Sequence, residues 1–186
     1  MPRVKTHLTP AEYAVLGLLR KRPAYGYELQ RQLSGGQGLA RVCPVEPAMV
    51  YAILKSLSGL ELIDGEWDNS SYPPRAVYAA TAEGDAAFLR WLNQPVGRMR
   101  EVRQDFMVKL YFLLEEELDA ERYQAKALIE GQIGVCRDYA EEVEREMQQV
   151  DGDSFDAFAL GSKLSAARLT GAWLADCLRT LERSRG

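Results

Sequence analysis

Between Pro47 and Leu60, the residues Val50, Ile53, Leu54, Leu57 and Leu60 recur at steps of three and four, the spacing of one buried helical stripe. Pro47 suits the first turn of that helix, where its missing N–H is not needed. The opposite side carries Ala48, Tyr51, Ala52, Lys55 and Ser56, with no carboxylate among them. Two short strands follow, Leu62 to Trp67 and Tyr72 to Ala79, around the polar turn Asp68-Asn69-Ser70-Ser71. A helix running into a hairpin, with two shorter helices before it, is the winged form of the helix-turn-helix DNA reader.

Those two helices are legible upstream. Thr9-Pro10-Ala11-Glu12 is a capping box with Pro at the first helical position, and Tyr13, Leu16, Leu18 and Leu19 face inward. A second helix is expected from about Tyr25 to Leu33, stopped by Ser34-Gly35-Gly36-Gln37-Gly38. Leu39 to Glu46 is a connector that adds either a strand or a turn. After the hairpin, Thr81 leads into a helix through Phe88, Leu89, Trp91 and Leu92, and Asn93-Gln94-Pro95-Val96-Gly97 breaks it. That break is the expected domain boundary, giving residues 1–92 and 93–186.

Beyond the boundary the pattern lengthens. Val102 to Leu114 is helical and rich in apolar residues, and Asp119 is a plausible cap for the next helix. Ile129, Ile133, Cys136, Ala140, Val143, Met147 and Val150 then alternate steps of four and three. Leu160, Leu164, Ala167, Gly171, Leu174, Leu178 and Leu181 repeat the pattern after the loop Asp151-Gly152-Asp153-Ser154. Two such stripes predict an antiparallel helical hairpin with a coiled-coil-like seam. Phe158, Leu169, Ala172 and Trp173 form a second strip that one partner helix cannot cover, so a homodimer through this half is expected. The fold class is therefore mainly α: a winged helix-turn-helix with a short β-hairpin wing, plus a C-terminal antiparallel helical domain.

Several of these words resemble one family. Tyr51-x-x-Leu54-x-x-Leu57, Leu62-Ile63 and Pro74-Arg75-x-x-Tyr78-x-x-Thr81-x-x-Gly84 are similar to the PadR family of bacterial transcriptional regulators. Leu16-Gly17-Leu18-Leu19 and Gly26-Tyr27-Glu28-Leu29 stand where that family carries the same words. The match covers roughly the first half of the chain; Phe106 to Phe112 and Leu169 to Trp173 more loosely resemble the helical domain appended to one PadR subgroup. Glu61 departs from the Gly that the family places before the Leu-Ile pair, which would move the helix end back to Gly59. Ala48 and Met49 replace the family's small polar residues in the first turn. The resemblance implies a repressor that blocks a promoter sterically.

At 186 residues the chain can hold one domain or two small ones. The net charge of −4 speaks against nucleic acid, but its distribution does not: residues 1–60 carry eight Lys/Arg against three Asp/Glu. No apolar run approaches a membrane span, and the N-terminus lacks a signal-like stretch, so a cytoplasmic location is the default. Cys43, Cys136 and Cys177 are widely spaced, with no metal pattern, and fit a reduced compartment.

The candidate DNA contacts are Ala48, Met49, Tyr51, Ala52, Lys55, Ser56 and Arg75. Lys and the hydroxyls suit phosphate, whereas Ala48 and Met49 offer only apolar contact with a thymine methyl. The plainer alternatives are a Tyr51 half-buried against the second helix and a solvated Lys55. Tyr72 and Tyr78 read as strand packing, and Arg3, Lys5 and His7 as a basic arm that either touches the backbone or is disordered. His7 is the only histidine, so neither a metal cluster nor His-based catalysis can be built from it. Cys43 reads as an ordinary thiol rather than a redox sensor.

Phe88, Trp91, Phe106, Tyr111 and Trp173 are candidates for an apolar pocket holding a small aromatic effector near the dimer axis. Aromatics at helical spacing are more often core. An enzyme reading is poor: Gly35-Gly36-x-Gly38 follows a helix, and no strand-helix alternation exists downstream. No cofactor is expected. The partners expected are double-stranded DNA and a second copy of the chain, and the rival is a winged helix used only for protein contacts.

Overall fold

The computed structural model describes residues 7–68, 74–115 and 119–183, with 119–123 as backbone alone. Its elements run α1 (Pro10–Lys21), β1 (Ala24–Tyr25), α2 (Gly26–Ser34), α3 (Pro47–Gly59), β2 (Ile63–Asp68), β3 (Arg75–Ala80), α4 (Ala82–Leu92), α5 (Met107–Leu114), α6 (Asp119–Met147) and α7 (Phe155–Arg183). Two compact units emerge. The first holds the chain up to Leu92 together with Met107–Phe112; the second holds Asn93–Phe106 and the chain from Leu113 onward.

In the first unit, Thr9 and Glu12 cap α1 reciprocally: the Glu12 amide donates to Thr9 Oγ1 at 3.2 Å, and the Thr9 amide to Glu12 Oε2 at 2.8 Å. The helix is then buried from Glu12 to Leu19 on almost every side, because α3, α4 and β3 all pack on it. Gly17 permits the closest of these contacts, since a Cβ there would overlap the rings of Phe112 and Phe88. That fit explains why part of α5 belongs to this unit.

The sheet is antiparallel, in the order β1-β3-β2. Its hairpin pairs Ile63 with Ala80 and Asp68 with Arg75. The two-residue β1 was not expected: Tyr25 pairs with Val77 instead of starting the helix, because the β3 edge is free to accept it. The connector contributes a 3₁₀ turn over Gly38–Arg41.

Helix α3 ends at Gly59, and Glu61 adopts the left-handed conformation, φ +58°, that lets the chain reverse into β2. Thr81 fastens the other side of this corner. Its hydroxyl donates to the Glu61 carbonyl at 2.8 Å and accepts from the Gly84 amide at 3.0 Å. A Cβ on Gly84 would collide with the Leu62 carbonyl oxygen. The Thr81-x-x-Gly84 spacing thus closes the wing onto α4.

In the second unit, α6 and α7, each of 29 residues, lie side by side along the expected seam. Val143, Leu160 and Leu164 form one buried cluster, ringed by Tyr139, Ala140, Met147 and Val150. Further along, Gly171 brings the backbones close, and a Cβ there would still meet Cys136 Cβ at an ordinary 3.7 Å. Ser154 caps α7, accepting from the Ala157 amide at 3.2 Å.

The stretch expected to be helical over Val102 to Leu114 is helical, but not with one geometry throughout. A π-turn occupies Val102–Phe106, and regular α structure begins at Met107. The buried Gln132 holds the chain just before this turn, accepting from the Val96 amide at 2.8 Å and donating to the Val96 carbonyl at 3.1 Å. Arg3, Lys5 and Tyr72 lie outside the described residues, as does the side chain of Asp119.

Candidate nucleic-acid interface

Helix α3 buries Val50, Ile53, Leu54 and Leu57 and leaves Ala48, Met49, Tyr51, Ala52 and Lys55 exposed. The stripe spacing fixes this division: one face meets the core, so the other must meet solvent. Tyr51 is 52 % exposed, and its ring lies over Gly26, where a Cβ would stand 2.8 Å from Cε1. It is therefore both half-seated against α2 and presented outward. Ser56 is only partly exposed, and its hydroxyl donates to Glu12 Oε1 at 2.9 Å, which ties α3 to the start of α1.

Arg75 opens β3 and is exposed, with its guanidinium 5.3 Å above the Tyr27 ring. Tyr27 in turn stacks on Tyr25 at 5.5 Å. The Tyr25 hydroxyl donates to Asp68 Oδ2 at 2.5 Å, and this bond holds the phenol above its ordinary pKa, so the ring stays neutral. Arg75, Tyr25 and Tyr27 line a cleft of about 550 Å³, together with Tyr51, Tyr78 and Trp67. Trp67 is 70 % exposed. Tyr78 lies flat across Gly65, whose Cβ would stand 3.0 Å from the ring.

The structure thus brings Tyr51 and Arg75 to one cleft, with Ala48, Met49, Ala52 and Lys55 on the adjoining exposed face of α3. Tyr25, Tyr27 and Trp67 were missed as site residues. The signal that could have found them is Gly26-Tyr27 facing a hairpin with an aromatic on each strand, but β1 is too short to be read.

The five effector candidates divide between the two units. Phe88 is fully buried, edge-on to Phe112 at 5.0 Å, and Tyr111 meets the same ring at 5.2 Å. Trp91 stacks on Tyr13 at 4.1 Å, with the buried Lys109 ammonium 4.9 Å above it. In the second unit, Phe106 is buried and meets Trp173 edge to face at 6.5 Å.

Among the described residues no group of three or more His, Cys, Asp or Glu side chains could hold a metal ion. None of the described helices is long and apolar enough to cross a membrane. None of Cys43, Cys136 and Cys177 is in a disulfide, and burial pushes the Cys136 thiol up in pKa.

Residues 15–90 match the transcriptional regulator PadR-like family. A PadR-like transcription factor from Bacteroides fragilis is similar at 32 % identity over 42 % of this chain and 73 % of that one, with a TM-score of 0.37. PadR from Bacillus subtilis, crystallised with operator DNA, is 22 % identical over 94 % of this chain and 99 % of its own, with a TM-score of 0.46. The same B. subtilis protein with p-coumaric acid gives 21 % identity over 94 % and 99 %, with a TM-score of 0.42. No curated protein matches the chain.

Proposed function

Because the chain belongs to the PadR-like family of transcriptional regulators, we propose that it is a cytoplasmic, non-enzymatic, sequence-specific DNA-binding repressor that acts as a homodimer. The observation that carries this reading is the outward face of α3: Ala48, Met49, Tyr51, Ala52 and Lys55 stand exposed on a helix that contains no carboxylate. Lys55 and Arg75 engage phosphates and set the register. Ala48 and Met49, at the helix start, reach the base edges through apolar contact. Ser56 contributes mainly by holding α3 at its angle through Glu12.

In this proposal residues 1–92 read DNA and residues 93–186 pair two copies through the strip of Phe158, Leu169, Ala172 and Trp173. The pair places two α3 helices about one DNA turn, roughly 34–36 Å, apart, so the operator is an inverted repeat. A small aromatic effector releases the DNA by shifting the population of protomer arrangements. Calorimetry and Trp fluorescence across phenolic and planar cationic compounds test that step; no binding across the panel removes it.

The central test is binding of the full chain to duplex DNA from upstream of its own gene, measured at several salt concentrations. A phosphate-contacting dimer loses affinity steeply as salt rises. No association with DNA at any salt concentration would leave a winged helix serving protein contacts instead.

A further inference from the structure

The wing has an unusual charge for something that touches DNA. Its outer strand β2 carries Asp64, Glu66 and Asp68 at alternate positions, so the three carboxylates share one side of the strand. Asp64 and Glu66 are exposed, and only Arg75, at the start of β3, opposes them from within the described hairpin. Within the described hairpin, Coulomb attraction to phosphate is therefore confined to Arg75 and cannot seat the whole wing. What it does present is aromatic surface. Trp67 stands out from the wing, and Tyr27 and Tyr51 reach toward the same cleft from α2 and α3.

We propose that this cleft is the wing's DNA-binding site and that it holds the deoxyribose edge of one strand of duplex DNA by apolar contact. Trp67 and Tyr27 are the gripping surfaces, and Arg75 takes the adjoining phosphate. The inference rests on the regulator reading above and deepens it by naming what part of DNA the wing binds. The deoxyribose edge is the uncharged, apolar stretch of a backbone that is otherwise anionic, so it is the part that an acidic hairpin with exposed rings can approach. Arg75 already sits over Tyr27, its guanidinium 5.3 Å from the ring centroid, so a cation stands beside the rings. Tyr51 belongs both to the cleft lining and to the exposed face of α3, which makes the two contacts one continuous surface.

Apolar and ionic contacts separate cleanly by their salt dependence. Each phosphate contact contributes about 0.9 to the slope of log K against log salt, and an apolar contact contributes nothing. The experiment uses the full chain and a duplex enriched by that chain from a random-sequence pool. Trp67→Ala is expected to weaken binding about tenfold or more with the slope unchanged. Arg75→Ala is expected to lower the slope by about one. Tyr27→Ala repeats the Trp67 result on a second ring, and Trp67→Phe restores most of the affinity. Circular dichroism of each variant confirms the fold.

If the parent chain binds and both Trp67→Ala and Tyr27→Ala stay within twofold of it, this inference is overturned while the regulator reading stands. A Trp67→Ala variant that loses affinity by losing slope also overturns it, because the contact would then be ionic. A parent chain that enriches no duplex overturns the regulator reading and this inference together.

Discussion

The two units of the chain are stabilised by different means. In the first, short elements meet at single atoms: Gly17 under two rings, Gly84 under a carbonyl, Thr81 bridging Glu61 and Gly84, Ser56 bonded to Glu12. In the second, α6 and α7 repeat one modest contact many times along their length. A single substitution can therefore break the first unit, whereas the second distributes its loss along the seam. Their surfaces differ as well. Among the described residues, the exposed large apolar side chains in the first unit are Tyr27, Met49, Tyr51 and Trp67, all on or near the α3 face and the wing; those in the second are Leu114 and four on α7.

The sharpest way to break this contrast is a pair of Gly→Ala changes. Gly84→Ala is expected to destabilise the first unit by about 3 kcal/mol or more, because the obstacle is backbone. Gly171→Ala should be neutral or stabilising by up to about 1 kcal/mol, since its Cβ finds ordinary contact and helix propensity improves. Denaturant unfolding of both variants decides it; equal losses would erase the distinction between the units.

Next in size is the α7 strip. Leu169, 72 % exposed, becomes buried in the proposed dimer, so Leu169→Glu should weaken self-association by about 2–3 kcal/mol, roughly 30- to 150-fold. Sedimentation at several concentrations reads this directly, and an unchanged dimer would move the interface elsewhere.

Gln132→Leu tests whether the second unit also has one indispensable contact. It strands the Val96 amide and carbonyl, each bonded to Gln132, and should cost about 2 kcal/mol. A cost near zero would mean that the helical seam alone carries this unit. The smallest effect is at Glu61, whose left-handed backbone strains any side chain. Glu61→Gly should stabilise by about 0.5–1 kcal/mol, after allowance for the greater freedom of glycine in the unfolded chain.

How much was legible follows from the same contrast. The α6–α7 seam could be read because its signal repeats: each step of three or four from Ile129 confirms the last. The start of α1 was legible because Thr9 and Glu12 act on their own neighbours, and Pro47 likewise marks α3. What escaped was set by partners distant in sequence. Tyr25 becomes a strand because Val77 lies beside it, Ser56 turns toward Glu12, and the π-turn at Val102–Phe106 interrupts a stretch with good helical composition. At the interface, the α3 face followed from its stripe. The aromatic cleft did not, because Tyr27, Trp67 and Arg75 meet only after the hairpin docks.

The carboxylates of β2 have one more effect. In the order β1-β3-β2 this strand borders the sheet, with a row of backbone donors and acceptors facing away from β3. Such a border invites a strand from another molecule to add to it. Two copies aligned in this way would set Asp64 and Glu66 against their own likenesses, and the repulsion discourages fibre-like growth. The same residues that make the wing a poor phosphate ligand thus keep crowded copies of the protein from zipping together through their wings.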